Sequence, residues 1–415
     1  MRLTGGRARA AASQYDVLLA VSGLWFVVQF LRYLLPPLFP TFRVVFGVGP
    51  TATGALFSAL MVGYAAVQFP AGTVADRVGG PSVLAAAGVA FGGAAVLAAA
   101  APTFAVLFVA AVLVGVTTGP HKTVAVPLLS RRYPDRPATA LGVMDTIGQA
   151  GGAVAPLVVA ASLSLALGWR AAFVVGAGVA LVTTVAFVRC VGSDGELSLR
   201  STIETTTDEQ SLDSEARGRD TEDTDAPTGW AGYRAPFADR RLVGFLLVTM
   251  LFSFAWNAVS AFLPLYLVDA KGVPPAMAGL LYGGFFAVSV TQAAAGPVGD
   301  RVGPFRTLVV LLGVAVVATA VLVTTTDTVV LVVVVVVAGL GFHGFRPVRD
   351  AHLMTLVPSS GDAGVLGIVR TLMLGAGALS PVAVGYVASI ASYDLAFGGV
   401  VAVLAAAVGL ALLTR

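Results

Sequence analysis

Charge is what this sequence has least of. Only 11% of its 415 residues are charged and 57% are hydrophobic, whereas a soluble domain carries roughly 25% charged residues. A water-soluble globular enzyme is excluded, because the chain has too few polar groups to cover its surface. Its place is in a bilayer. Cysteine is nearly absent: Cys190 alone rules out a disulfide framework or a multi-cysteine metal centre. Lysine is confined to Lys122 and Lys271 among 25 basic residues, and histidine to three. No H-x-x-x-H or H-E-x-x-H spacing occurs, and no glycine-rich phosphate loop ending in Lys-Ser/Thr. Neither a zinc hydrolase nor direct ATP drive is therefore expected, and no cofactor or metal is implied.

The acids that are present are unevenly placed. Eleven of the 22 fall between Asp194 and Asp225, with only Arg200, Arg217 and Arg219 to offset them. The remaining cations are spread over short loops, so the net charge of +3 does not describe a nucleic-acid binder. Arginine in place of lysine, with an acidic Thr/Asp/Glu-rich linker, points to a halophilic source. With almost no large apolar residues, the linker is expected to be a disordered tether.

Four regions follow: an N-terminal tail, 1–15; a first apolar block, 16–191; the acidic linker, 192–239; and a second apolar block, 240–415, equal in length to the first. Each block divides at Gly, Pro and charged breaks into six runs long enough to cross a ~30 Å hydrocarbon core. The predicted crossings are 17–39, 51–74, 81–101, 103–130, 138–163 and 169–191, then 241–268, 274–298, 305–324, 328–355, 363–390 and 393–414. The first is read as a retained span, since no short core with a small-residue cleavage site is present.

The blocks are one pattern written twice. Gln68, Gly72, Asp76, Arg77 and Gly79 recur 224 residues later as Gln292, Gly296, Asp300, Arg301 and Gly303, and the same offset maps Gly115 to Gly339 and Lys122 to Arg346. Gly142, Asp145 and Pro156 map, one residue further, to Gly367, Arg370 and Pro381. The expected fold is an all-α membrane protein of twelve transmembrane helices in two pseudo-symmetric six-helix bundles. Duplicated secondary transporters are built this way, with the substrate site between the halves. With both termini in the cytoplasm, seventeen basic residues lie inside and only Arg43, Arg170 and Lys271 outside. The expected location is the cell membrane.

The stretch Gly72-Thr-Val-Ala-Asp76-Arg77-Val-Gly79, and its copy Gly296-Pro-Val-Gly-Asp300-Arg301-Val-Gly303, resemble the loop signature of the major facilitator superfamily. The resemblance covers nearly the whole chain outside the tail and linker. It implies a secondary active transporter working by alternating access, in which these residues are conformational latches. In the first copy Gly80-Pro81 stands where the family usually continues with basic residues. Two marks of the family's drug–proton antiporters are missing: Ala111 replaces an arginine, and Ala155-Pro156 is not followed by paired glycines.

An ionisable side chain at mid-membrane costs about 2.5–3.5 kcal/mol on insertion scales and so marks a candidate site. Arg32, beside Tyr33, lies on the first crossing, which lines the central cavity in the resembled family. Gly339, His343, Arg346 and Asp350 share one stripe of the tenth; Lys122 lies on the matching stripe of the fourth, with His121 beside it. The candidate ligands are Arg32, Tyr33, Lys122, Asn257, His343 and Arg346. The candidate coupling network is His121, Asp145, Arg349, Asp350 and Arg370. Lys122 is expected to pair with Asp145 and Arg370 with Asp350, leaving Arg32, Arg346 and Arg349 without acids. Gln68 and Gln292 suit helix contacts or hydrogen bonds to a polar solute. Trp25, Phe26, Phe254 and Trp256 suit packing.

Surplus guanidinium favours a small anion as substrate, moved by proton symport or exchange, with sodium coupling open. Two alternatives remain: a proton antiporter exporting apolar or cationic compounds, and a non-transporting membrane sensor of the same fold. The other expected partner is the lipid bilayer, with the protein monomeric and binding no nucleic acid.

Overall fold

The computed structural model describes residues 4–193, 238–356 and 362–414, all of them in helices or short connections. The acidic linker lies outside the described residues. Ten helices are long and apolar enough to cross a bilayer. They are spans 1 (Tyr15–Phe46), 3 (Gly80–Ala100), 4 (Phe104–Arg132), 5 (Pro137–Ser164), 6 (Trp169–Ser193), 7 (Arg240–Asp269), 9 (Pro304–Thr324), 10 (Thr328–Leu356), 11 (Asp362–Ile390) and 12 (Tyr393–Leu413). Two further crossings are broken helices, and they are the pair that the repeat superimposes. Span 2 runs Pro50–Ala66 and Gln68–Val78, bent by 45°. Span 8 runs Pro275–Ala287, a 3₁₀ turn Val288–Thr291, then Gln292–Val302. The chain is thus a twelve-span helical membrane protein.

Helices are what lipid demands of such runs, because every backbone N–H and C=O must find its partner within the segment. The ends are set locally. Proline occupies the first turn of spans 2, 3, 5, 8 and 9, where its missing N–H costs nothing. The hydroxyls of Thr103 and Ser392 cap spans 4 and 12, accepting from Val106 N at 3.4 Å and Leu395 N at 3.1 Å.

The latch motifs correct an expected boundary. Gly72 and Gly296 fall within the predicted crossings, but Asp76 and Arg77 belong to the last turns of span 2, and Asp300 and Arg301 to those of span 8, where loops were expected. The reason is the economy of the turn. A single residue with positive φ, Gly79 at 86° and Gly303 at 102°, reverses the chain, and the next helix begins at once. Only glycine adopts that backbone without strain.

Packing within each bundle relies on close backbone approach. A methyl group on Gly115 would overlap the Leu60 carbonyl of span 2, and one on Gly339 would meet the Phe285 carbonyl of span 8 at 2.8 Å. Small residues at such seams are how membrane helices gain contact without a hydrophobic driving force.

Between the bundles, contact clusters toward the face opposite the chain termini. Span 11 packs along Pro50–Ala66 rather than Gln68–Val78, and Pro275–Ala287 packs on span 5. Val382 N donates to Ser58 Oγ at 3.0 Å, and Thr51 and Ser389 share a hydroxyl hydrogen bond of 2.9 Å. At the outermost layer Arg43 of span 1 pairs with Asp269 of span 7, and the Tyr393 hydroxyl donates to the same carboxylate at 3.1 Å. The bundles therefore close on that face and part toward the face carrying the termini.

Candidate functional site

Span 1 continues to Phe46, seven residues beyond the predicted end at 39, so Arg32 sits near its middle. Its side chain does not reach an interface: Arg32 is 7% exposed, with its guanidinium 4.0 Å above the Tyr64 ring of span 2. Its Nε and Nη2 are buried without a hydrogen-bond partner. Two orphaned donors on a buried cation are costly, and an anion is the group that would satisfy both.

Tyr33 does not offer its face to a cavity. Its ring lies against Phe286 of span 8, centroids 4.2 Å apart, and Phe286 meets Trp256 of span 7 at 5.9 Å. These three rings join the bundles at mid-depth. Arg346 of span 10 stands at the far end of this aromatic layer, 5.4 Å above Trp256. Arg32 and Arg346 therefore flank it, one from each bundle.

The charges nearer the termini fall partly as expected. Lys122 Nζ lies 3.1 and 3.2 Å from the two carboxylate oxygens of Asp145, joining spans 4 and 5. The mirror pair does not form. Arg349, only 8% exposed, folds onto its neighbour, donating from Nε at 2.9 Å and from Nη2 at 2.7 Å to Asp350 Oδ1. Adjacency wins over the crossing to span 11, where the exposed Arg370 has no ion-pair partner among the described residues. Nor does Arg346 pair with Asp350 one turn on, because its guanidinium is turned over Trp256. Among the described residues, the cations at membrane depth without an ion pair are thus Arg32, Arg346 and Arg370, with Arg370 replacing the expected Arg349. Asp350 itself is exposed.

Two predicted ligands, His343 and Asn257, and one predicted coupling residue, His121, are absorbed by packing. His343 is fully buried, its Nδ1 3.1 Å from Gln292 Nε2 across the break in span 8. His121 is buried and stacked on Trp25, centroids 5.3 Å apart. Asn257 donates to the Ser253 carbonyl of its own helix at 3.0 Å, against Gly377. The Nε2 atoms of both histidines lack partners. Among the latch residues, Asp76 and Arg77 are exposed and have no ion pair among the described residues, as befits a face where the bundles have parted.

Sequence reasoning missed Tyr64, the platform for Arg32, and the layer formed by Arg43, Asp269 and Tyr393. Tyr64 carried no signal, being one aromatic in an apolar run. Asp269 carried one, as an acid at a span end opposite Arg43.

The sequence profile of the Major Facilitator Superfamily matches residues 21–335 and 245–415. The chain belongs to this family. A probable sulfoacetate transporter of Cupriavidus necator, SauU, is 28% identical over 171 residues, which are 40% of this chain and 38% of that protein. The match thus spans well under half of the relative's length. Among solved structures of the family's fold, a bacterial homologue of the human lysosomal transporter Spinster, in an inward-facing and unoccupied conformation, superposes with a TM-score of 0.77 at 16% identity, covering 97% of each chain. The nucleoside transporter NupG gives a TM-score of 0.72 at 14% identity, covering 97% of this chain and 98% of its own. At such identities the likeness is one of fold. The protein is a major facilitator transporter of small molecules, embedded in a membrane by many spans.

Proposed function

We propose that the protein moves a small organic or inorganic anion across the cell membrane by alternating access, coupled to protons or to exchange. The observation that carries the reading is the charge balance at membrane depth. Five cations (Arg32, Lys122, Arg346, Arg349 and Arg370) face two carboxylates, Asp145 and Asp350, and the most deeply buried cation, Arg32, has two donors free. Uncompensated guanidinium inside a membrane is expensive unless something else supplies the negative charge. A carboxylate, sulfonate or phosphate would be held by fork geometry that lysine cannot offer. The sulfoacetate in the name of the relative is itself an organic anion, which supports the same class.

The sequence count of seventeen basic residues against three supports cytoplasmic termini by the positive-inside rule, and on that reading the conformation is inward-open. Asp145 and Asp350, both in the open mouth, are the groups whose protonation would accompany transport. The buried histidines are further from solvent.

The test is a ligand-stabilisation screen on detergent-purified protein, with matched panels of anions, cations and neutral solutes. An anion class should raise the melting temperature, and Arg32→Gln should abolish that response while unfolding at a similar temperature without ligand. Stabilisation only by apolar cations would move export by proton antiport to first place.

A further inference from the structure

A second feature lies outside the central site. A pocket of about 400 Å³ opens on the terminal face of the second bundle, lined by Arg241, Phe245, Gly303, Phe305, Arg306 and His352 among others. Its walls come from the ends of five spans. Arg241 is the second residue of span 7, Phe305 and Arg306 open span 9, His352 is one turn from the end of span 10, and Gly303 is the turn after span 8. Thr414 completes it beyond span 12. Every contributing residue is therefore at the level where hydrocarbon gives way to water.

The chemistry of the lining is split. Arg241 and Arg306 are exposed, and neither has an ion-pair partner among the described residues. Beside them is an apolar wall, with the His352 ring edge-on to Phe245 at 4.7 Å and 6.0 Å from Phe305. Two free guanidiniums over an aromatic floor, at an interfacial depth, fit a ligand with an anionic head and an apolar body. A free anion would leave the aromatic wall unused, and so would the acidic, threonine-rich stretch between Asp194 and Asp225.

We infer that this pocket is a binding site for an anionic phospholipid, its phosphate held by Arg241 and Arg306 and its glycerol and first acyl carbons lying on Phe245 and Phe305. The site is independent of the anion site between the bundles. It gives the second latch motif another task, because the turn at Gly303 places Arg306 at the pocket. A lipid held there ties span 7 to span 9 and braces the mouth of the second bundle.

The experiment uses the full chain in neutral detergent, titrated with phosphatidylglycerol, with phosphatidylcholine and with inorganic phosphate, and read as melting temperature and as lipid adducts by native mass spectrometry. Phosphatidylglycerol should raise the melting temperature by about 2–4 °C and give a retained adduct, with little from phosphatidylcholine. The double variant Arg241→Gln/Arg306→Gln should lose both signals while keeping the Arg32-dependent response to substrate anions. Equal effects of the two lipids, or adducts that survive in the double variant, would overturn the site. Stabilisation by inorganic phosphate alone would overturn its assignment to lipid. A lipid response that appears only after removal of residues 196–225 would give the pocket to the acidic stretch and overturn it too.

Discussion

At the scale of single residues, the membrane charges, the exposed Arg370 apart, are of two kinds. Lys122 and Asp145 neutralise each other, and Arg349 does the same with Asp350, while Arg32 and Arg346 lean on aromatic rings and keep their charge available. A ring face attracts a cation without cancelling it, contributing about 0.5–2 kcal/mol. Such a cation is held in place yet remains ready for an anion. The Lys122–Asp145 pair is part-exposed, at 21% and 46% of their side chains, so screening keeps its own worth to about 1 kcal/mol or less. Its larger importance is that either partner alone would be a lone charge at membrane depth. Lys122→Met and Asp145→Asn should each lower the melting temperature, and the double variant should recover part of the loss. A thermodynamic cycle from the three variants checks this, and strictly additive losses would argue that the two groups do not act as a pair.

At the scale of helices, the glycine seams decide how closely neighbours approach. Gly115 faces the backbone of Leu60, which has no side chain to swing aside, whereas Gly142 has nothing within 4 Å of the corresponding position. Gly115→Ala should therefore destabilise the first bundle by about 1–3 kcal/mol, and Gly142→Ala should be near neutral or slightly stabilising. Comparing the two melting curves checks the seam directly.

This scale also shows what the sequence could reveal. Twelve crossings and the repeat were legible because apolar length and a constant offset are properties of the chain alone. The Gly115/Gly339 correspondence was legible too, and the two glycines serve equivalent seams, one in each bundle. The breaks before Gln68 and Gln292 were not, since hydropathy runs through them unaltered. The Lys122–Asp145 contact followed from equal depth on adjacent helices. The expected Arg370–Asp350 contact used the same logic and failed, because depth says nothing about a nearer rival, and Arg349 was one residue away. His343 was read as a ligand from its position on a stripe and Asn257 from its hydrogen-bonding amide, yet a stripe or a side-chain type fixes at most a direction. Whether that direction holds a cavity or a neighbouring helix depends on the packing of spans 8 and 11.

At the scale of the whole molecule, alternating access requires the contacts that close one face to be weak enough to break. Among the described residues the closed face is tied by few polar contacts between the bundles: Arg43 on Asp269 and on the Tyr393 hydroxyl, Thr51 on Ser389 and on the Gly385 carbonyl, and Val382 N on Ser58 Oγ. Arg43 and Asp269 belong to different bundles, with side chains 35% and 24% exposed, so their bond stabilises one conformation by a modest amount and exists only while that face is shut. Asp269→Asn should shift the population toward the state in which that face is open and the terminal face is shut. At about 1 kcal/mol of differential stabilisation, the ratio of states should move roughly fivefold. For the terminal face we propose the converse event: Asp350 is exposed on the second bundle and Lys122 pairs with Asp145 on the first, so closure of that face would bring Lys122 a second carboxylate. Single cysteines at Thr51 or Val143 in a Cys190→Ala background, labelled by an impermeant maleimide in right-side-out and in inside-out vesicles respectively, report the two faces. Asp269→Asn should raise labelling at residue 51 and lower it at residue 143. Unchanged labelling at both positions would mean that the Arg43–Asp269 pair decorates the gate without holding it, and that the apolar seam of Gly54 against Pro381 carries the closure instead.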